Sequence, residues 1–362
     1  MEFGLFMMPL HPPYRSYADS YDRDLALLVE ADRLGFHEAW IGEHLTERWE
    51  NAPCPDLLIA KASAMTQNIK LATGITLLPI HNPVELAHRI AMLDHLTRGR
   101  FYWGIGHRAI PTDLALFGLD PKKGEEVREQ AAEVLDIVLK IWANEGKFSY
   151  HGKYFDIDAP ELDSVMERGL HMKPFQKPHP PIGVAATSIG SSSIKVAGSH
   201  GYIPMSSSNL APQYLGDHWT TVEDAAAEAG QSTDRSQWRI GRDVFIGKTP
   251  EEARERARAV LGRNYIEHQR PNRLGSGLIQ ATKTDPNMPD EGLTVDYMME
   301  NIWIVGDPEE CAERIRDLYT QVGGFGHLLA ITQDPDDPQW EHECLQLLME
   351  EVGPRVADLT GK

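Results

Sequence analysis

Cysteine is scarce in this chain: Cys54, Cys311 and Cys344 are its three, widely scattered and without a CxxC pair. An odd, dispersed set argues against a disulfide framework and against a zinc site, so a reducing, cytoplasmic setting is expected. Long hydrophobic runs are missing as well, and no apolar stretch approaches the length of a membrane span. The opening MEFGLFMMPLHPPYR has no basic region ahead of its apolar residues and does not read as a signal peptide. Positive charge is the minority sign, with Lys+Arg 35 against Asp+Glu 54 and a formal net charge of −19. Such a surface repels phosphate backbones and anionic lipids, which argues against nucleic acid and membrane as partners. Hydrolase equipment is missing too. There is no HExxH, no GxSxG and no tight His/Asp/Cys cluster, so no metal is expected.

What the chain does have is alternation. Short apolar runs at residues 2–8, 37–42, 69–76, 100–106, 182–186, 202–205, 244–247 and 327–331 read as strands, with helical periodicity between them. Leu86, Ile90 and Leu93 repeat at helical spacing, as do Val127, Ala131, Val134, Leu135 and Val138. Asn82-Pro83, Thr249-Pro250, Asp307-Pro308 and Asp337-Pro338 each put a capping side chain before a first-turn proline. Eight strands alternating with helices predict an α/β fold, a closed (β/α)8 TIM barrel rather than an open doubly wound sheet. We read residues 1–362 as one barrel domain with loop insertions at about 147–177 and 264–301. The first insertion reads as a hairpin plus loop, the second as a mobile stretch without clear period.

Active sites of such barrels lie at the C-terminal strand ends. In order, those ends are Met7/Met8, Glu43-His44, Thr73-Gly74, Gly104–Arg108 and residues 187–193. Most are small, letting something flat lie against the backbone, and one is a histidine. The run IGVAATSIGSSS leads from a strand through hydroxylated residues into a helix start, an anion site of backbone N–H groups and hydroxyls. A flexible serine-rich loop with an N-cap is the plainer reading. Gly104-Ile105-Gly106-His107-Arg108-Ala109 formally fits a dinucleotide fingerprint, but Pro111 follows before a helix is expected to open, and no acidic strand end comes at the right distance. Glu43 either orients a neighbour or is solvated. His81 and Asn82 either face the site or cap the next helix. His88 and His95 read as surface or packing residues, and Tyr102 and Trp103 as barrel filling.

The segments GFHEAWIGEH, TGITLLPIHNPVELAHRIAMLDHLTRGRFYWGIG, and GDPEECAERI followed by GGFGHLL resemble the bacterial-luciferase-like flavin-dependent monooxygenases. Within that class they are similar to limonene 1,2-monooxygenase-like and diketocamphane monooxygenase-like members. The resemblance covers nearly the whole chain and is densest over residues 2–142. It implies reduced FMN supplied by a separate flavin reductase, O2 as co-substrate, a flavin hydroperoxide, and a small apolar substrate, an alicyclic terpenoid in the members named. It makes His44 the catalytic residue that holds or shuttles a proton. Ser188, Gly190, Ser191 and Ser192 match the flavin-phosphate segment, with Arg108 and Arg128 as counter-charges. Here the sequence departs from the class, which has Cys-Arg after the fourth strand where this chain has Gly106-His107 and then Arg108. Met7, Thr73, Gly74, Gly104 and Gly106 would lie along the flavin, and Met8, Leu45, Trp49 and Ile75 along the substrate. A cis peptide is implied at Gly74–Ile75, a lid at 264–301, and a homodimer as the assembly. Two alternatives are a deazaflavin-dependent oxidoreductase and a non-catalytic flavin-binding partner subunit. The presence of His44 weighs against the second.

Overall fold

The computed structural model describes residues 1–361 apart from 109, 162 and 164. Its strands are β1 (Glu2–Met7), β2 (Glu38–Ile41), β3 (Lys70–Leu77), β4 (Phe101–Gly106), β5 (Phe148–His151), β6 (Asp156–Ala159), β7 (Ile182–Ala186), β8 (Ile203–Ser206), β9 (Arg239–Ile246), β10 (Ile304–Gly306) and β11 (His327–Ile331). Eight of them close a parallel ring in the order β1-β2-β3-β4-β7-β8-β9-β11, and β11 returns to β1. This is the expected (β/α)8 barrel. The antiparallel hairpin β5–β6 lies in the first insertion. The helices that matter for the site are α1 (Tyr17–Leu34), α2 (Pro55–Ser63), α3 (Pro83–Leu96), α4 (Pro111–Leu116), α5 (Gly124–Ala143), α6 (Ser192–His200), α7 (Pro212–Ala229), α8 (Pro250–Ala257) and α9 (Arg270–Gly275). Asn82, Thr249, Asp307 and Asp337 all cap their helices through the side chain, as the Xaa-Pro pairs indicate.

Side chains alternate between the two faces of each strand. On β1, Phe3, Leu5 and Met7 join the helix-facing core with Leu25 and Leu28 of α1. Inside the ring, Trp40 packs with Ala72, Met205 and Leu329. The indole fills the barrel because two strands carry no side chain beside it. A Cβ on Gly183 would lie 2.6 Å from Trp40 Cη2, and one on Gly104 would lie 2.0 Å from the Thr73 carbonyl oxygen. At the N-terminal end of the barrel, Arg239 donates to both oxygens of Glu38, at 3.0 and 3.1 Å, a buried pair reaching across the interior from β9 to β2.

Three expectations need correction. The seventh barrel strand is residues 239–243, not 244–247; residues 244–246 leave the ring to pair with β10. The charges of Arg239, Arg242 and Asp243 hide this strand in the sequence, yet all three are buried with partners. Arg242 donates to the carbonyls of Ser208, Gly241 and Leu210, and Asp243 accepts from Gln333. The second insertion is not structureless. α8 runs on through π-helical turns at Arg258–Gly262 and Tyr265–Gln269 into α9. A π turn breaks the 3.6-residue repeat, so periodicity fails there although the chain is helical. Finally, α4 does open after β4, and it starts at Pro111 itself. Proline suits the first position of a helix, where its missing N–H costs nothing.

Candidate active site

At the C-terminal mouth, β2 ends in Gly42-Glu43-His44. The His44 side chain is 18% exposed and lies between two carboxylates. Its Nδ1 is 3.1 Å from Asp113 Oδ2, and its Nε2 is 3.3 Å from Glu50 Oε2. Asp113 is held from its other oxygen by the Thr46 backbone N–H at 2.9 Å and the Thr46 hydroxyl at 2.6 Å. Burial opposes charge on His44, but its polar contacts to Asp113 and Glu50 and their negative charge outweigh it, pushing its titration up to about 10. The two carboxylates thus favour the imidazolium over the neutral ring. Glu50 is itself held at about 2; burial works against its charge, and His268 and His44 overcome that.

Glu43 orients neighbours rather than meeting solvent. It accepts from the Leu77 N–H at 2.6 Å and from His81 Nε2 at 2.8 Å, while Arg89 donates to His81 Nδ1 at 3.1 Å. This fixes the end of β2 against the end of β3, where the Gly74–Ile75 peptide is cis, as the resemblance implies. Ile75 and Leu45 pack with Leu77, Ile80, Leu114 and Val127 in an apolar cluster beside His44.

Several candidate residues also have packing roles. Met7 points away from the mouth into the helix-facing core, because residues 3, 5 and 7 share that face of β1. Thr73 spends its hydroxyl on the Gly104 carbonyl at 2.9 Å, within a chain that continues through Thr76 to Trp103 Nε1. Gly104 is required by Thr73 and Trp40, and Gly106 has the Ile75 Cδ1 against it. Barrel packing gives both glycines a structural reason. Trp49 stacks on His268, with ring centroids 5.5 Å apart and planes 23° from parallel. Met8 is half-buried just beyond β1.

The loop after β7 begins α6 with Ser191 at the N-cap, making no side-chain capping bond, and Gly190 precedes it at φ 60°. The Ser188 carbonyl accepts from His218 Nε2 at 2.9 Å, which anchors the loop to α7. Since β4 and β7 are paired neighbours, the segment carrying His107 and Arg108 leaves the barrel beside this helix start. Burial, with Arg128 and Arg108 close by, holds His107 below the usual imidazole range, so the three basic residues are clustered. Arg128 is exposed and paired with Glu125 of its own helix α5. An uncapped, serine-rich helix start suits a phosphate.

Three site residues are not evident from the sequence: Glu50, Asp113 and His268. His268 sits in a π-helical turn, where no regular helical period marks it as buried. His37, Glu38 and His327, with donor atoms within 4.8 Å of one another, are equally hidden. They lie at the opposite end of the barrel, and Arg239 already occupies the Glu38 carboxylate there.

A parallel barrel with a carboxylate-held histidine and an uncapped helix start at one mouth has the layout of a barrel enzyme site. A family model, Bac_luciferase: Luciferase-like monooxygenase, matches residues 1–324. The chain is 33% identical to 2,5-diketocamphane 1,2-monooxygenase 1 of Pseudomonas putida over 368 residues, covering 98% of this chain and 99% of that protein. It is 29% identical to limonene 1,2-monooxygenase of Rhodococcus erythropolis, covering 98% and 86% respectively. Among solved structures, the oxygenating constituent of 3,6-diketocamphane monooxygenase from the CAM plasmid of Pseudomonas putida, in complex with FMN, matches with a TM-score of 0.92 at 32% identity over 98% of each chain. The chain belongs to the luciferase-like monooxygenase family.

Proposed function

We propose that this protein is the oxygenating component of a two-component system, which uses reduced FMN and O2 to oxygenate a small apolar substrate of the alicyclic terpenoid class. The observation that carries this reading is His44, set between Asp113 and Glu50 at the barrel mouth beside the cis Gly74–Ile75 bond. Reduced FMN, delivered by a separate reductase, supplies the electrons that activate oxygen. The chain does the rest. The start of α6, with Ser188, Gly190, Ser191 and Ser192, holds the phosphate, and Arg108 and Arg128 supply opposite charge. His44 offers a proton at the reacting edge from an imidazolium that two carboxylates keep charged. Leu45 and Ile75, with Leu77 and Leu114, present an apolar wall with little to bond a carboxylate or phosphate substrate.

The test is a panel of a cyclic monoterpene, a bicyclic ketone, a long-chain aldehyde and an aromatic acid, each supplied with reduced FMN and 18O2. One labelled oxygen atom is expected in the product of the monoterpene or the bicyclic ketone. Product from the aldehyde or the acid alone would overturn the substrate class. Turnover with a reduced deazaflavin in the absence of O2, and none with FMN, would overturn the chemistry.

A further inference from the structure

Glu50 has two partners, not one. Its Oε2 is 3.3 Å from His44 Nε2, and its Oε1 is 2.8 Å from Nε2 of His268, which lies 218 residues away on the second insertion. His268 is buried, stacked on Trp49, with the Asn272 amide nitrogen 3.2 Å from Nδ1 and Glu47 Oε1 at 3.9 Å. A donor at Nδ1 leaves Nε2 to carry the N–H that Glu50 accepts. His268 and Tyr265 both turn inward from the π-helical turn Tyr265–Gln269. An extra residue in a helix rotates the downstream side chains by about 100°, so an α-helical turn would carry His268 off Glu50.

We infer that His268 is a positioning residue for His44, acting through the carboxylate they share. The inference rests on reading His44 as the proton donor of the site. Nδ1 of His44 is hydrogen-bonded to Asp113 at 3.1 Å, and its Nε2 faces Glu50 Oε2 at 3.3 Å as an ion-pair contact. Turning Nε2–H toward a bound reactant means releasing Glu50, and a buried carboxylate without a donor is costly. The N–H of His268 keeps Glu50 satisfied through that release. Packing of the helical insertion is thereby tied to the availability of the proton.

The test uses flavin-free protein, so its outcome does not depend on which cofactor the site takes. In 15N-labelled protein at pH 7, the His44 Nε2–H resonance is identified by its loss in H44Q. His268→Met, which fills the space but has no donor, is expected to move that resonance downfield as Glu50 turns wholly to His44. His268→Gln, which keeps an N–H, should restore it toward the wild-type position. With Glu50→Gln already present, His268→Met should move it no further. A resonance unmoved by H268M, or moved equally with Glu or Gln at position 50, overturns the proposal. Should H268M fail to fold, E50Q carries the test: the His268 Nε2–H and His44 Nε2–H resonances must both shift, and a shift at His44 alone overturns it. In turnover with reduced flavin, H268M should lower kcat and alter its pH profile while leaving KM nearly unchanged.

Discussion

His44 lies between two buried acids, hydrogen-bonded to Asp113 through Nδ1 and 3.3 Å from Glu50 through Nε2, and each of the three depends on the others. Removing the histidine leaves two carboxylates in a site built for a cation between them. His44→Ala should therefore destabilise the fold by about 3–5 kcal/mol, the range for breaking a buried pair from one side. Adding Asp113→Asn should recover part of that loss, since a neutral amide no longer needs the cation. Urea unfolding of the wild type, both single variants and the double variant would measure the coupling. Strictly additive losses would mean that the pair does not exist in solution. Of this trio the sequence displays His44 alone, through the motif in which it lies. Asp113 is 69 residues away and reaches His44 only because α4 opens on Pro111. Glu50 lies in an irregular loop whose direction no local pattern announces, and Glu43, adjacent to His44, turns instead to β3 and His81.

Among the elements, those with a clean period were legible and those with buried charge or wide turns were not. β1 through β4 and the helices between them follow from hydrophobic spacing and Xaa-Pro caps. β9 does not, because eight consecutive buried residues that include Arg239, Arg242 and Asp243 look like a polar surface until their partners arrive from β2 and from the segments that follow β8 and β11. The π-helical run after α8 is hidden for a geometric reason, since its side chains fall out of phase with an α-helix. The start of α6 was legible as a helix start. Gly190 lies at φ 60°, and Ser191 leaves the first-turn N–H groups without a side-chain cap, as the proposed phosphate site needs. Reduced FMN should accordingly bind at least tenfold more tightly than reduced riboflavin, about 1.4 kcal/mol for the phosphate. Ser191→Pro, which removes one N–H at the helix start, should narrow the difference. Anaerobic fluorescence titration would read both, and equal affinities for the two flavins would remove α6 from the binding site.

Taken over the whole molecule, the buried ionisable groups at the barrel mouth set the direction in which stability changes with pH. His11, buried but bonded to Asp24 and Asp334, titrates at about 9, and His44 at about 10, both above the free value of 6.5. Their contribution is complete below the free value and is lost as pH rises through 9 and 10. Glu341 acts in the same direction. Burial, with Asp334 and Asp24 nearby, outweighs the Gln333 N–H and pushes its carboxyl up to about 8 from 4.5. The fold favours its protonated form and is weakened progressively as pH climbs between those values. Glu50, held down at about 2, and Asp113 and Asp334, both lowered, contribute above their free values and lose that contribution only in acid. The formal charge of −19 grows more negative with pH, adding self-repulsion on the alkaline side. The melting temperature should therefore peak near about pH 5–6 and decline toward pH 9–10. Glu341→Gln isolates one contributor. Its amide oxygen can still accept the Gln333 N–H that Glu341 takes at 2.8 Å, and it cannot ionise. The variant should melt with the wild type near pH 5 and above it at pH 9, in thermal scans at matched ionic strength. A difference that stays constant across that range would show that Glu341 titrates alike in the folded and unfolded chains.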